Sequence, residues 1–110
     1  MSFVEIASLK LIENLIPGFN VRFAHTPNVT LAFWEITAGH TLPVHSHHHE
    51  QTAIVLDGEF ELTIDGDSQC LTSGSIGVIP SNAVHSGRAI TDCRLLDIFF
   101  PVREDYLLKS

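Results

Sequence analysis

Five of the chain's seven histidines fall between positions 40 and 49, inside the run GHTLPVHSHHHEQTAIVLDG from Gly39 to Gly58. Histidine binds divalent metals through a neutral imidazole nitrogen, and a His-x-His pair on an extended segment presents both rings to one face. His45 and His47 have that spacing, with Pro43 just before them. An expression tag is also rich in histidine, but tags sit at termini and do not alternate within strand-like sequence. Any one of these histidines alone would read as polar surface or as a core imidazole. Together they read as a metal site built on β-strands. His48 is expected to be solvated, and His40 and His25 to lie at the surface. His49 shares the parity of His47 and Gln51, although a bend at this point would break that relation.

A second group of chemically capable residues closes the chain, in LLDIFFPVREDYL from Leu95 to Leu107. Asp97 and Phe99 share one face of an extended segment. A carboxylate among Leu95, Leu96, Ile98 and Phe99 must be paired or carry a shifted pKa, and the second condition suits acid–base chemistry. Pro101 ends the strand and lets Arg103 fold back, with a planar fork that matches carboxylates. Read from the residues alone, two accounts compete. In one, Asp97 and Arg103 form an ion pair that seals one end of the fold while Phe99 packs in the core. In the other, all three face a ligand.

The elements that must position these groups follow a period of two. Phe60, Leu62 and Ile64 alternate with Glu59, Glu61, Thr63 and Asp65, the pattern of a strand with one buried and one wet face. Asp57-Gly58 precedes this strand and Asp65-Gly66-Asp67 follows it, both favouring hairpins. Further strands are expected at Asn20 to Ala24, Val29 to Thr37, Gln51 to Leu56, Ile76 to Ile79, Val84 to Ala89 and Arg94 to Phe100. Helical periodicity is limited to a turn or two within Ile6 to Leu15. The class is all-β, and the spacing suits a sandwich or small barrel.

The 110 residues suit one domain, and the formal charge of −7 argues against nucleic acid, since six scattered Lys and Arg make no basic stripe. No apolar run reaches membrane-spanning length, and Glu5 and Glu13 interrupt what would be a signal peptide. Cys70 and Cys93 have no metal-site or disulfide spacing, so free thiols in a reducing, cytoplasmic setting are expected. The first 16 residues are apolar but weakly patterned, and this arm is expected to pair or swap across a homodimer.

The motifs resemble those of the cupin superfamily. Gly39, His45, His47 and Gly58 stand in the register of its first motif, and Gly74, Pro80 and His85, in GSIGVIPSNAVH, in that of its second. The resemblance covers roughly residues 18 to 100 and implies a double-stranded β-helix, or jelly-roll barrel. The first motif places its glutamate seven residues before the closing glycine, where this chain has Gln51. Glu50 is one residue off, and a one-residue slip turns a strand side chain to the opposite face. His45, His47, Gln51 and His85 are therefore the expected ligands, and their nitrogen and amide-oxygen donors suit Zn, Ni, Mn, Fe or Co.

With a glutamine ligand and the closing D-x-F-x-P-x-R-E-D segment, the chain is similar to the small single-domain cupins of the pectin-degradation type called KdgF. That likeness implies conversion of unsaturated uronates, released by pectin and alginate lyases, into linear keto sugar acids. It also implies that Asp97, Phe99 and Arg103 line the substrate pocket, with Asp97 moving a proton and Arg103 holding a carboxylate. Two other readings fit the same ligands: a metal-dependent dioxygenase of a small molecule, and a binding module that holds a small anion or sugar without turning it over.

Overall fold

The computed structural model describes residues 2–110. Ten strands run β1 (Ile12–Ile16), β2 (Phe19–His25), β3 (Thr30–Ile36), β4 (Thr41–His45), β5 (Glu50–Asp57), β6 (Phe60–Ile64), β7 (Asp67–Leu71), β8 (Ile76–Ile79), β9 (His85–Ala89) and β10 (Cys93–Phe100). A 3-10 turn, Ile6–Ser8, precedes them, and a one-turn helix α1, Glu104–Leu107, follows. The strands form two antiparallel sheets, ordered β1-β2-β3-β10-β5-β8 and β4-β9-β6-β7. The sheets face one another in a jelly roll, so the expected fold class holds.

The core lies between the sheets. Phe19, Val21, Phe23, Trp34, Val55 and Leu95 come from the larger sheet, and Phe60, Leu62 and Ala89 from the smaller. Within the smaller sheet the Phe60 ring lies over Gly87 of the neighbouring β9, where a Cβ would stand 2.3 Å from Phe60 Cζ. Strand alternation locates β2, β3, β5, β6, β8, β9 and β10 to within two residues of their ends.

The N-terminal arm departs from expectation. Ile12–Ile16 is a strand that pairs antiparallel with β2 of its own chain, through an irregularity between Ile12 and Ile16. Asn14 lies there with φ 51°, and its side chain accepts from Gly18 N at 3.1 Å. This local turn gives the arm a strand edge to join without a partner. Arg22 Nη1 holds the carbonyl of Leu9 against the sheet. Three other elements carry little sequence signal. β4 contains Pro43 and is an edge strand, where a missing N–H is tolerated. β7 is largely exposed and is held by pairing with β6. Helix α1 is too short to show a period.

Candidate metal centre

His45 ends β4 and lies directly opposite His85, which begins β9. Their rings are 4.1 Å apart, and the His47 ring is 4.9 Å from that of His85. One nitrogen from each of the three falls within 4.8 Å of the others. His47 is not on a strand, contrary to the extended His-x-His pattern. It sits in the loop between β4 and β5, and the loop brings its ring round to the same point.

Each imidazole is oriented by the backbone. His45 Nδ1 donates to Pro43 O at 2.7 Å, His47 Nδ1 to His49 O at 3.0 Å and His85 Nδ1 to Ala83 O at 2.9 Å. A carbonyl only accepts, so these contacts put the proton on Nδ1 and leave each Nε2 lone pair free to bind a cation, the usual role of a backbone partner behind a metal-ligating histidine. His85 Nε2 is buried with no hydrogen-bond partner. Gln51, on β5, places Oε1 3.2 Å from His47 Nε2. With the proton on Nδ1, two acceptors face each other there unless the amide is turned end for end. A shared cation would resolve that conflict. Burial lowers the pKa of His47 to about 4, helped by the charge of Arg103 and by His85, and burial also lowers that of His85. Both rings are neutral at physiological pH, the form that ligates. The residues present therefore fit a divalent metal ion, of an identity that neutral nitrogen and amide donors leave open.

Asp97 stands next to this cluster on β10. Its neighbours across both adjacent strands are alanines, Ala32 on β3 and Ala53 on β5. Two small residues open space around a carboxyl in an otherwise large-residue layer. The site lies in a cavity of about 40 Å³, room for about three waters, lined among others by His45, His47, Gln51, His85, Asp97 and Arg103. Burial raises the pKa of Asp97 to about 7, against the opposing influence of Gln51, Trp34 and Arg103.

The ion-pair account of Asp97 and Arg103 is not what the structure contains. Arg103 makes a two-point pair with Asp105, Nε to Oδ1 at 3.0 Å and Nη2 to Oδ2 at 2.8 Å. Burial disfavours its charge, but Asp105 and Tyr106 more than offset this and raise its pKa. The guanidinium lies 4.0 Å over the Tyr106 ring and 4.8 Å from that of Phe99. Asp105 was the nearer partner because α1 folds it back beside Arg103. Asp97 is left with Oδ1 unpaired.

The remaining histidines sort differently from their sequence parity. His48 is exposed, as expected, and Glu50 also points to solvent. His49 is buried with both ring nitrogens unpartnered and Nε2 3.9 Å from Glu104 Oε2. It lies beside the site but does not line the cavity. His25 and His40 are half-buried rather than superficial. His25 bridges Thr30 Oγ1 and Ser110 Oγ, both at 2.9 Å. The His40 ring fills the space above Gly18, where a Cβ would stand 2.1 Å from its Cγ. Two cavity residues escaped the sequence reading, Tyr106 and Trp34. Tyr106 is the chain's sole tyrosine and follows Arg103 by one helical turn, the signal that would have found it.

Residues 32–99 match the family model of the cupin domain, and the chain belongs to that family. H2HPP isomerase of Bacillus subtilis is 30% identical over 94 residues, which are 83% of this chain and 40% of that protein. Quercetin 2,3-dioxygenase of Bacillus subtilis (strain 168) is 43% identical over 51 residues, 46% of this chain and 15% of that protein. The chain spans less than half the length of both curated relatives. Among solved structures it is similar to KdgF from Halomonas sp., with a TM-score of 0.89 at 28% identity, over 96% of this chain and 98% of that one. No helix among the described residues is long and apolar enough to cross a membrane. Both cysteines are free, Cys70 exposed and Cys93 buried.

Proposed function

We propose that this cupin is a metal-dependent enzyme that converts unsaturated uronates into linear keto sugar acids. The observation that carries the reading is the meeting in one cavity of three converging imidazoles, a buried carboxyl near neutrality and an arginine fixed at its wall. His45, His47, His85 and Gln51 would hold the ion, and because all four are neutral it would keep its full charge and supply Lewis acidity toward substrate oxygens. Arg103, its orientation set by Asp105, attracts the substrate carboxylate with the donors that Asp105 leaves free. Asp97, with a pKa of about 7, gives a proton to the enol-ether carbon and recovers one from the water that adds. The resulting hemiketal opens to the linear keto acid. Phe99 packs against the guanidinium and the His47 ring, 5.7 Å away, and forms an apolar wall.

The motif set that resembles pectin-degradation cupins and the likeness to a solved KdgF both support this reaction class. Elemental analysis of protein purified without added metal, joined to an assay of the conjugated double bond of an unsaturated uronate, tests it. Bound metal and loss of absorbance are expected. Metal-loaded protein that leaves the double bond intact overturns the reading. The segment shared with quercetin 2,3-dioxygenase favours a second reading, oxygen-dependent cleavage of a small molecule; turnover of uronate under anaerobic conditions decides against it. A pure binding module predicts tight ligand binding with no product.

The outer face of the six-stranded sheet supports action as a homodimer. Two rows of outward residues cross five strands, Arg22–Phe33–Leu96–Ile54–Ile76 and Ala24–Leu31–Ile98–Thr52–Val78. At ordinary strand spacing and rise the two rows span about 20 Å across the strands and about 7 Å along them, a nucleus well short of the ~800 Å² that a stable interface takes from each partner. Ile6 and Leu11 of the arm share a groove with Phe33 and Leu56 at its margin and extend it. At one end Arg94 pairs in register with Glu35 and Asp57, so a two-fold copy meets both signs of charge. A monomer by light scattering at micromolar concentration overturns this part.

A further inference from the structure

Trp34 has a polar atom that neither packing nor the proposed chemistry uses. Its ring stands on the inner face of β3 and packs edge-on against Phe19, at 5.9 Å, and Phe23, at 6.2 Å. Those contacts explain an aromatic ring at this position, and phenylalanine would make them without bringing an N–H into the core. Nε1 of Trp34 is buried with no hydrogen-bond partner, and the residue is only 6% exposed.

Asp97 is in the same condition. It is 7% exposed and its Oδ1 has no partner. Both residues line the cavity. They are also diagonal neighbours, since Asp97 lies opposite Ala32 and Trp34 lies two residues further along the same face of β3. Gln51 and the indole N–H both stand near enough to Asp97 to favour its ionised form, yet neither approach gives Trp34 Nε1 or Asp97 Oδ1 a partner in hydrogen-bond geometry. Buried donors and acceptors are almost always paired, and two unpaired ones facing the same small cavity mark a place where something else supplies the partner. That partner must accept from an N–H and donate to a carboxylate oxygen with one atom. A hydroxyl does both. Ala32 and Ala53 on either side of Asp97 leave the room for it.

We infer that Trp34 Nε1 and Asp97 Oδ1 form a hydroxyl subsite in the cavity, through which the site selects hydroxylated acids over the same acids without the hydroxyl. The inference rests on the proposed function only in taking the ligand to be an acid. A water occupies the subsite between ligands and is displaced by a substrate hydroxyl that repeats its hydrogen bonds.

The chain has a single tryptophan, so its indole N–H gives one resonance in a proton–nitrogen NMR spectrum. Zinc-loaded protein is titrated with ω-hydroxy acids of two to four carbons and with the corresponding straight-chain acids that lack the hydroxyl. At least one hydroxy acid is expected to move the indole signal downfield and slow its exchange with water, while the unsubstituted acids leave it in place. Trp34→Phe keeps the ring and removes the donor. It is expected to weaken that hydroxy acid about tenfold, the size of one hydrogen bond, with zinc content and binding of the unsubstituted acid unchanged. The subsite is wrong if the indole signal ignores every hydroxy acid, if no acid binds, or if Trp34→Phe weakens both kinds of acid alike. The wild-type spectrum decides even should the variant fold poorly. Protein that gives the indole shift but does not consume unsaturated uronate would overturn the proposed reaction and leave the subsite standing.

Discussion

The two sheets of this barrel obey opposite rules of polarity. The four-stranded sheet follows the ordinary alternation of an antiparallel layer with one wet face: Phe60 and Leu62 point inward, while Glu61, Thr63, Ser68 and Arg88 face out. Its only polar inward groups near the core are the imidazoles at its edge. The six-stranded sheet is inverted where the site lies. Thr30, Gln51 and Asp97 point inward and are buried, while Leu31, Phe33, Ile54, Leu96, Ile98 and Val78 point outward. Buried polar groups in a sheet whose back is apolar cannot be an adjustment for solubility. In the proposed reading these strands face a ligand on one side and, in the proposed dimer, a second copy on the other.

The largest expected effect breaks the four-stranded sheet's contribution. His85→Ala removes the deepest imidazole, 2% exposed, and is expected to abolish retention of metal through dialysis and, with it, turnover. Circular dichroism should still report a β-rich fold, because the remaining strand pairs of β9 are untouched. Full metal content in the variant would remove His85 from the ligand set.

Next comes the six-stranded sheet's own group. Asp97→Asn keeps shape and leaves the imidazoles in place, so metal content should match the wild type while turnover falls by about a hundred- to ten-thousandfold, the usual worth of a general acid–base group. The same variant reads the cost of burying the carboxyl. The folded-state pKa of Asp97 is about 7, above its ordinary 3.8, so between those values the folded protein holds a proton that the unfolded chain has released. Its contribution to stability is therefore lost as pH rises, by up to about 1.4 kcal/mol per pH unit. His47, lowered to about 4 from 6.5, acts in the other direction, and its contribution is lost as pH falls through that window. The two oppose one another, so the wild-type curve alone is uninformative. The difference is not. In urea melts of metal-free protein, Asp97→Asn should gain on the wild type steadily from about pH 4 to pH 7 and no further above it. A gap that stays constant with pH means that Asp97 is ionised throughout.

These contrasts also show what a sequence can and cannot carry. The placement of the proposed ligands was legible because glycine spacing fixes strand register: Gly58 favours Gln51 over Glu50, and Gln51 is the one that points inward, directly opposite Phe99. Asp97 and Phe99 were legible for the same reason, as alternate residues on a long apolar strand. The partner of Arg103 was not. It depends on how the chain turns after Phe100 and on a single turn of helix, and neither has a period to read. The arm was misjudged because its pairing rests on one irregular residue, Asn14, rather than on alternation. The unpaired indole of Trp34 has no sequence signal at all, since a tryptophan that only fills space and one that offers its N–H are the same letter.

A smaller effect separates the two outer faces. Ile54→Glu places a charge within the apolar rows on the six-stranded sheet, directly beside the central Leu96. It is expected to convert the proposed dimer to a monomer by light scattering, with the cavity's residues unaltered on the opposite side of β5. A variant that remains dimeric moves the interface elsewhere.

The smallest effect is expected on the back of the four-stranded sheet, and it serves as the control for that result. Arg88 Nε lies 3.6 Å from Glu61 Oε1, with side chains 52% and 39% exposed. The pair sits across adjacent strands in register, which keeps the two side chains close, although 3.6 Å is beyond hydrogen-bond distance. Water still screens both charges, and exposed pairs of this kind are worth about 0 to 1 kcal/mol. Arg88→Ala should therefore lower stability by no more than that, reduce it less at high salt, and change neither oligomeric state nor metal content. If it dissociated the protein as Ile54→Glu is expected to, the smaller sheet would carry the interface, and the apolar back of the larger one would lose its explanation.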